Sequence, residues 1–131
     1  MVIENFLYPY ISLEEEHEKG DTILKEGSKG NWVYLILSGT VKVKKMSPKG
    51  LVTVDTLTEG DIFGEMVLWQ LGKGSRTATV VAETKVKVGL LDTQLLLKEY
   101  ESISPRLKSL FESLMHRLAI TTQRAVKLAT E

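Results

Sequence analysis

The stretch "TVKVKKMSPKGLVTVDTL", residues 40–57, contains two segments in which apolar and polar side chains alternate. In the first segment Val41 and Val43 alternate with lysines, a period of two that is typical of a half-buried β-strand. The second segment, "LVTVDTL", alternates in the same way. Between them lies "SPKG" (47–50), in which proline can preset φ and glycine can supply the positive φ that turns use. The stretch therefore predicts two strands joined by a turn.

Segments of similar composition lie on both sides of this stretch. They are "TILKEG" (22–27), "WVYLILSG" (32–39), "TATVVA" (77–82) and "KVKVGLL" (85–91). Strands that recur about every eight to twelve residues, with glycine-containing turns between them, favour an all-β sandwich or barrel over β–α–β units. We interpret the acidic run "EEEHEK" (14–19) as a solvated strand face or turn.

The pattern changes to that of helices at Asp92. "DTQLLLKEY" (92–100) predicts a short helix capped by Asp92 or Thr93. A second, longer helix is predicted to begin with Ser104 as its N-cap and Pro105 at its first position. We therefore divide one predicted domain, residues 1–131, into a β part (1–91) and a helical part (92–131), as suits a chain of 131 residues.

Apolar residues of the long helix recur in steps of three and four, close to the 3.5-residue repeat of a two-helix seam. They are Leu107, Leu110, Leu114, Leu118, Ala125 and Leu128, with Thr121 among them. At roughly 1.5 Å per residue the helix is about 40 Å long, too long for a β domain of this size to cover on all sides. The stripe therefore predicts a homodimer that forms through this helix.

Composition excludes several classes of function. The formal net charge is zero, so no general electrostatic attraction to nucleic acid is expected, and we assign strand lysines such as Lys42, Lys44 and Lys45 to outer strand faces. The chain has no cysteine, which excludes disulfides, thiolate metal sites and cysteine nucleophiles. Its two histidines, His17 and His116, have no metal-ligand spacing. We therefore predict no metal site, no cofactor and no enzymatic activity.

No apolar run is long enough to span a bilayer. The first residues, "MVIENFLYPYISLEEEHEKG", lack the basic region and apolar core of a secretory signal. We expect a cytoplasmic protein without a membrane partner.

The stretch "FGEMVLWQLGKGSRTATV" (63–80) contains residues that can bind a ligand. Gly64 allows a close backbone approach to a ligand, and the first amides of a helical turn predicted at "EMVLW" (65–69) favour an anion. Arg76 can bind two phosphate oxygens with its planar fork, and Glu65 can accept hydrogen bonds from hydroxyls. These residues suit a ribose phosphate. A structural ion pair between Arg76 and Glu65 is the alternative.

The longer segment "GDIFGEMVLW…SRTATVVA" (60–82) resembles the phosphate-binding cassette of cyclic nucleotide-binding domains, in which F-G-E is followed, after a variable loop, by R-[AST]-A. "GDTILKEGSKGNWVYLILSGTVKV" (20–43) resembles the opening strands of that family. The two predicted helices match its B and C helices, so the resemblance covers nearly the whole chain. It implies an eight-stranded jelly-roll β-barrel or sandwich, with a short cassette helix and two C-terminal helices.

The resemblance also implies roles for individual residues. It places Gly64 and Glu65 at the ribose 2′-hydroxyl, Arg76 on the cyclic phosphate and Thr77 beside that phosphate. Backbone amides around Val67 and Leu68 complete the phosphate site. The predicted ligand site also includes Phe63, Met66 and Ala78.

The segment "HRLAITTQRAVKLA" (116–129) resembles the dimerising helix of bacterial catabolite activator proteins, in which a Thr-Ser pair reaches the adenine. Thr121 and Thr122 fall at those positions, and a base edge would satisfy their hydroxyls. Alternatively, Thr121 is a tolerated seam residue and Thr122 is solvated. Under the first interpretation the nucleotide and the dimer are coupled.

The chain departs from the family pattern at Val67, where a small residue is usual, and in the longer loop "WQLGKGS" (69–75). It carries no helix-turn-helix, kinase or channel segment, and we expect its output to lie in an unknown protein partner. The resulting hypothesis is a stand-alone regulatory module that binds cAMP, or cGMP as second choice, and couples it to C-helix placement and dimerisation. The alternative is a degenerate fold whose non-binding pocket, closed by Val67, belongs to a dimeric protein-interaction module.

Overall fold

The computed structural model describes residues 6–65 and 76–130, with side chains described up to residue 128. Within these ranges a short 3₁₀ turn at Tyr8–Tyr10 precedes eight strands and two α-helices. The strands are β1 (Ile11–His17), β2 (Thr22–Leu24), β3 (Val33–Ser38), β4 (Val41–Ser47), β5 (Gly50–Leu57), β6 (Ile62–Phe63), β7 (Thr79–Ala82) and β8 (Val86–Leu91). The helices are α1 (Thr93–Ser102) and α2 (Pro105–Thr130).

The described strands pair antiparallel into two four-stranded sheets. Their orders are β1-β8-β3-β6 and β2-β7-β4-β5, so that most neighbours come from distant parts of the sequence. Two such sheets of four strands form a jelly roll, which confirms the predicted fold class. Most of the predicted cassette helix (65–69) lies outside the described residues.

The main core lies between the two sheets. Its buried members are Leu24, Tyr34, Ile36, Val41, Phe63, Val80, Ala82, Val86, Val88 and Leu90. β3 is buried on both faces, because Tyr34 and Ile36 enter this core while Val33 and Leu35 pack in a second cluster with Leu96 of α1. This two-sided burial explains why β3 has no polar–apolar alternation from residue 33 to residue 37.

The two strands and turn predicted at residues 40–57 form the hairpin of β4 and β5. Ser47 pairs with Gly50 at its tip, where the Ser47 hydroxyl donates to the Gly50 carbonyl at 2.7 Å. Gly50 has a φ of +99°, so the turn uses the conformational freedom predicted for glycine. A β-bulge interrupts the ladder between Val43 and Lys44.

Both helices begin where the capping residues predict. The Asp92 carboxylate accepts a hydrogen bond from the Leu95 N–H at 3.1 Å, which caps α1. The Ser104 hydroxyl accepts one from the Leu107 N–H at 3.2 Å, and Pro105 occupies the first position of α2. Each cap satisfies an amide that has no partner within its helix.

β1 agrees with the strand interpretation of the acidic run, β7 begins later than predicted, and β6 was not predicted. The acidic run 14–19 contributes most of β1, an edge strand whose Glu14 lies 3.3 Å from Lys87 of β8. β7 begins at Thr79, two residues after the predicted start at position 77. β6 comprises only Ile62–Phe63 and has too few residues for periodicity to reveal it.

None of the described helices is long and apolar enough to cross a bilayer. No group of three or more histidine, cysteine, aspartate or glutamate side chains in the described ranges could hold a metal ion. His17 lies on β1 with its Nε2 at 3.4 Å from Glu15 Oε1, and His116 is exposed on α2.

Candidate ligand-binding site

A cavity of about 440 Å³ lies between the β2-β7-β4-β5 sheet and α2, which packs against β4 and β5. Its volume falls within the range of small-molecule sites, roughly 300–1,000 Å³. Strand side chains, both ends of the 63–80 stretch and one segment of α2 line it. The lining residues are Leu24, Gly30, Val43, Lys45, Val54, Asp55, Leu57, Ile62, Phe63, Gly64, Glu65, Arg76, Thr77, Ala78, Val80, Leu118, Ala119, Thr121, Thr122, Gln123 and Ala125.

Arg76 reaches the cavity from the segment that precedes β7. Its backbone N–H donates to the Ser28 carbonyl at 2.7 Å, and its carbonyl accepts from the Gly27 N–H at 2.9 Å. These bonds fix Arg76 against the connection between β2 and β3. The residue is only 8% exposed, and its Cζ lies 6.0 Å from the centre of the Tyr34 ring. The ring face attracts the cation and helps to hold it in place.

Two glycines enclose the Arg76 guanidinium. A Cβ at Gly30 would lie 3.1 Å from Arg76 Nη2, and a Cβ at Gly64 would lie 3.1 Å from Nη1. The same Gly64 Cβ would lie 3.0 Å from the Trp32 carbonyl oxygen, and Gly64 has a φ of +79°. Larger side chains at these positions would displace the guanidinium or strain the backbone.

Arg76 has no acidic partner among the described residues. Its side chain makes one long hydrogen bond there, from Nη1 to the Gly64 carbonyl at 3.4 Å, and the alternative ion pair with Glu65 is not formed. Burial lowers the pKa of Arg76, but a guanidinium still remains charged in a protein. A buried, unpaired cation is unfavourable, so this end of the cavity is suited to an anion.

Glu65 lies next to Gly64 and lines the same cavity. Burial raises the pKa of its carboxyl, its own backbone N–H acts in the opposite direction, and the negative charge of Asp55 raises the pKa further. The carboxylate is partly removed from water, and the hydrogen bonds lost there can be replaced by ligand hydroxyls. Arg76 and Glu65 together suit a ligand that carries both a phosphate and hydroxyl groups.

Thr77 and Ala78 continue the cavity wall from Arg76 toward β7. The Lys45 ammonium donates a hydrogen bond to the Thr77 carbonyl, which ties β4 to this segment. The prediction that Lys45 lies on an outer strand face is wrong, because Lys45 lines the cavity. A period of two already places Lys45 on the same face as Val41 and Val43, so the sequence contained the signal.

α2 supplies the opposite wall of the cavity through residues 118–125. The Thr122 hydroxyl donates to the Leu118 carbonyl at 2.9 Å, within the helix. Thr122 is half-buried and Thr121 is exposed, but both line the cavity. Both threonines therefore border the space that a ligand would fill.

The cavity brings together the predicted ligand-site residues that the structure describes. These are Phe63, Gly64, Glu65, Arg76, Thr77, Ala78, Thr121 and Thr122. Met66, Val67 and Leu68 lie outside the described residues, as does Trp69. All the predicted seam residues are exposed on α2: Leu107, Leu110, Leu114, Leu118, Thr121, Ala125 and Leu128. Three of them, Leu118, Thr121 and Ala125, also line the cavity.

The sequence prediction missed part of the cavity. Gly30 backs the guanidinium, and Lys45 and Asp55 bring two charged groups to the wall of β4 and β5. The alternation of "LVTVDTL" places Asp55 on the face opposite Val52 and Val54, so the sequence pattern does not predict Asp55 in the cavity wall.

Comparison of the sequence with family models gives a match to the cyclic nucleotide-binding domain over residues 14–102. The cAMP-dependent protein kinase regulatory subunit of Yarrowia lipolytica is 43% identical over 74 residues, which are 56% of this chain and 19% of that protein. The CRP-like cAMP-activated global transcriptional regulator of Mycobacterium tuberculosis is 32% identical over 68 residues, 51% of this chain and 30% of that protein. The chain thus spans less than a third of either relative.

Solved structures give the same result for the fold. The EAL enzyme Bd1971 in its cAMP-bound form matches with a TM-score of 0.78 and 26% identity, over 86% of this chain and 30% of that one. Its cGMP-bound form matches with a TM-score of 0.76 and 28% identity, over 82% of this chain and 28% of that one.

Proposed function

Because the chain belongs to the cyclic nucleotide-binding domain family, we propose that it binds a cyclic mononucleotide in the cavity beneath α2. Binding is non-covalent, with cAMP as the first candidate and cGMP as the second. Similarity to proteins regulated by cAMP and to a protein solved with either nucleotide supports this pair of ligands.

The observation that carries the proposal is the buried Arg76 guanidinium, which has no acidic partner among residues 6–65 and 76–128. The cyclic phosphate supplies the missing anion and accepts two hydrogen bonds from the planar fork of Arg76. Gly30 and Gly64 leave the space that this arrangement needs. Thr77, next along the chain, donates its hydroxyl to the same phosphate.

Glu65 accepts a hydrogen bond from the ribose 2′-hydroxyl. This contact replaces water that its carboxylate loses through burial. Thr121 and Thr122 contact the base from α2, because they line the part of the cavity that the helix covers. The ligand therefore touches both the β-sandwich and the helix.

The output of binding is a shift in the placement of α2. A ligand that contacts both walls of the cavity stabilises the placement in which α2 covers it, and it can shift the population only by its difference in affinity for the two placements. Leu118, Thr121 and Ala125 also belong to the predicted seam, so the same shift alters dimerisation through α2. The chain acts as a regulatory, non-enzymatic module on a downstream protein.

Isothermal titration with cAMP and then cGMP, on protein freed of co-purified nucleotide, tests the proposal. We expect micromolar or tighter binding of one nucleotide and a loss of roughly 2–5 kcal/mol in Arg76→Ala, which removes one partner of a desolvated charge pair. Arg76→Lys keeps the charge but lacks the fork, and we expect an intermediate affinity. Arg106→Ala, at an exposed position in the first turn of α2, is the control.

Binding that is equally tight in Arg76→Ala would disprove the site assignment. No heat and no increase in melting temperature with either nucleotide would disprove nucleotide binding, because a ligand of the native state must raise that temperature. The alternative hypothesis, an interaction module with a non-binding pocket, would then take its place.

A further inference from the structure

Asp55 is a charged residue on the inner wall of the cavity. In the β4–β5 ladder Val43 pairs with Asp55, but the next pair is Lys44 with Thr53, which leaves Val54 as the extra residue of a β-bulge. Residues on both sides of a bulge can point to the same face, and bulges redirect side chains beside functional sites. Both Val54 and Asp55 accordingly line the cavity.

The Asp55 carboxylate retains capacity to accept hydrogen bonds. Its Oδ1 accepts from the Thr56 N–H at 2.8 Å, and within the described ranges the carboxylate forms no ion pair. Lys45, the cation on the same wall, donates to the Thr77 carbonyl instead. An ionised carboxylate has about four lone-pair sites and no donor, so Asp55 can only accept from a ligand.

The opposite wall presents a second acceptor. The Thr122 hydroxyl proton is engaged with the Leu118 carbonyl at 2.9 Å, so the oxygen of Thr122 is left to accept. With Arg76 and Glu65 assigned to the phosphate and the ribose, the base falls between the β4–β5 wall and α2. Lys45 and Gln123, which have donors, also line this part of the cavity, but the two acceptors of Asp55 and Thr122 can be satisfied only by donors of the base.

On the basis of the proposed function, we propose that Asp55 accepts a hydrogen bond from the exocyclic amino group of a purine base and thereby selects amino-purine nucleotides. Adenine offers this group at C6, and guanine offers it at C2. Purines without the amino group leave the Asp55 carboxylate and the Thr122 hydroxyl oxygen facing the base without a donor, which is the usual source of strong discrimination by hydrogen-bonding sites.

A cycle of ligand and protein changes tests the proposal. The ligands form two pairs that differ by the amino group: cAMP against the cyclic 3′,5′-monophosphate of purine riboside, and cGMP against cIMP. In the wild type we expect loss of the amino group from the preferred ligand to weaken binding about ten- to hundredfold, as for a hydrogen bond to a charged group. The pair that shows this ratio identifies adenine or guanine.

In Asp55→Ala we expect the same ratio to fall to within about twofold of one, the usual scatter of independent effects. Asp55→Asn keeps one acceptor oxygen and should give an intermediate ratio. Glu59→Ala, which removes an exposed carboxylate from the turn after β5, should keep the wild-type ratio. The melting temperature of each ligand-free variant confirms that it is folded.

An equal ratio in the wild type and in Asp55→Ala, together with tight binding, would overturn the role of Asp55 and leave the proposed function intact. If the wild type binds both members of each ligand pair equally tightly, the role of Asp55 is likewise overturned and the proposed function is left intact. If the wild type binds none of the four nucleotides, the proposed function itself fails. The two failures are therefore distinguishable.

Discussion

At position 76 the fold buries a guanidinium between two glycines and an aromatic ring, and in the described ranges it forms no ion pair with a carboxylate. Folding therefore leaves a desolvated positive charge uncompensated, at a cost in stability that an anionic ligand offsets. Gly30 and Gly64 leave the space in which the guanidinium is held. The environment of Arg76 therefore predicts that the protein is more stable when an anion is bound.

Glu65→Gln should stabilise the ligand-free protein near neutral pH and weaken nucleotide binding. Burial raises the pKa of the Glu65 carboxyl in the folded state above its ordinary value of 4.5. A carboxyl whose pKa is raised by folding stabilises the folded protein at pH values below its unfolded pKa. This contribution of Glu65 is lost as the pH rises through its folded pKa. Glutamine does not ionise, so its burial does not become less favourable as the pH rises. The melting temperature of Glu65→Gln should therefore exceed that of the wild type at pH 7.5, and the difference should shrink toward pH 4.5.

Thermal unfolding of ligand-free protein at several pH values measures this difference, and titration with nucleotide measures the affinity. We expect binding to Glu65→Gln to be about tenfold weaker, because the ribose hydroxyl loses a charged acceptor. Glu59→Gln removes one exposed carboxylate nearby in the sequence and serves as the control. A melting temperature for Glu65→Gln below that of the wild type at pH 7.5 would contradict the prediction.

At the scale of elements, local chemistry predicts most of what the structure contains. The alternation on both sides of 47–50 predicts β4 and β5, and the capping residues Asp92 and Ser104 predict where the helices begin. The order of strands within each sheet does not follow from periodicity, since it depends on contacts between distant segments. The jelly roll was predicted through resemblance to a family.

The cavity was predicted less completely for the same physical reason. Glycine, glutamate and arginine in the 63–80 stretch indicate a phosphate site, because each has a distinct chemistry at a short spacing. Asp55 escaped prediction because the bulge at Val54 changes which side chains share a face, and a bulge has no clear signature in this sequence. Lys45 could have been placed correctly by continuing the alternation of Val41 and Val43.

The N-cap of α2 gives a prediction at the scale of one element. Ser104→Ala removes the oxygen that accepts the Leu107 N–H at 3.2 Å, and it should lower the free energy of unfolding by about 1 kcal/mol. Ser104→Asp keeps an acceptor and should restore the stability. Ser109→Ala, at an exposed position within α2, should be neutral or slightly stabilising, because alanine favours helix interiors. Urea unfolding of the three variants measures these effects, and equal destabilisation by Ser104→Ala and Ser109→Ala would refute the cap.

In the complete fold, α2 presents an exposed apolar stripe and a cavity-lining segment, and the two surfaces overlap. Leu107, Leu110 and Leu114 are 41%, 53% and 48% exposed in the single chain, a stripe that one domain leaves uncovered. Further along the helix, Leu118 and Ala125 line the cavity and also belong to the predicted seam. If the predicted seam forms, a ligand that fixes the second segment would affect the orientation in which the first segment meets another copy.

Leu114→Glu should convert a homodimer that forms through α2 into a monomer. A charge at the centre of the seam would be desolvated in the dimer, and we expect self-association at least about tenfold weaker. Ser113→Glu adds the same charge at the neighbouring exposed position and should leave the dimer intact. Sedimentation velocity over a range of protein concentrations, with and without cAMP, measures the association.

Because coupling is reciprocal, the factor by which cAMP changes dimerisation must equal the factor by which dimerisation changes the affinity for cAMP. The affinity of Leu114→Glu for cAMP should therefore be independent of protein concentration, whereas that of the wild type should vary across its dimerisation range. A wild type that sediments as a monomer at every concentration would refute the seam, and a dimer that Leu114→Glu leaves intact would place the interface elsewhere.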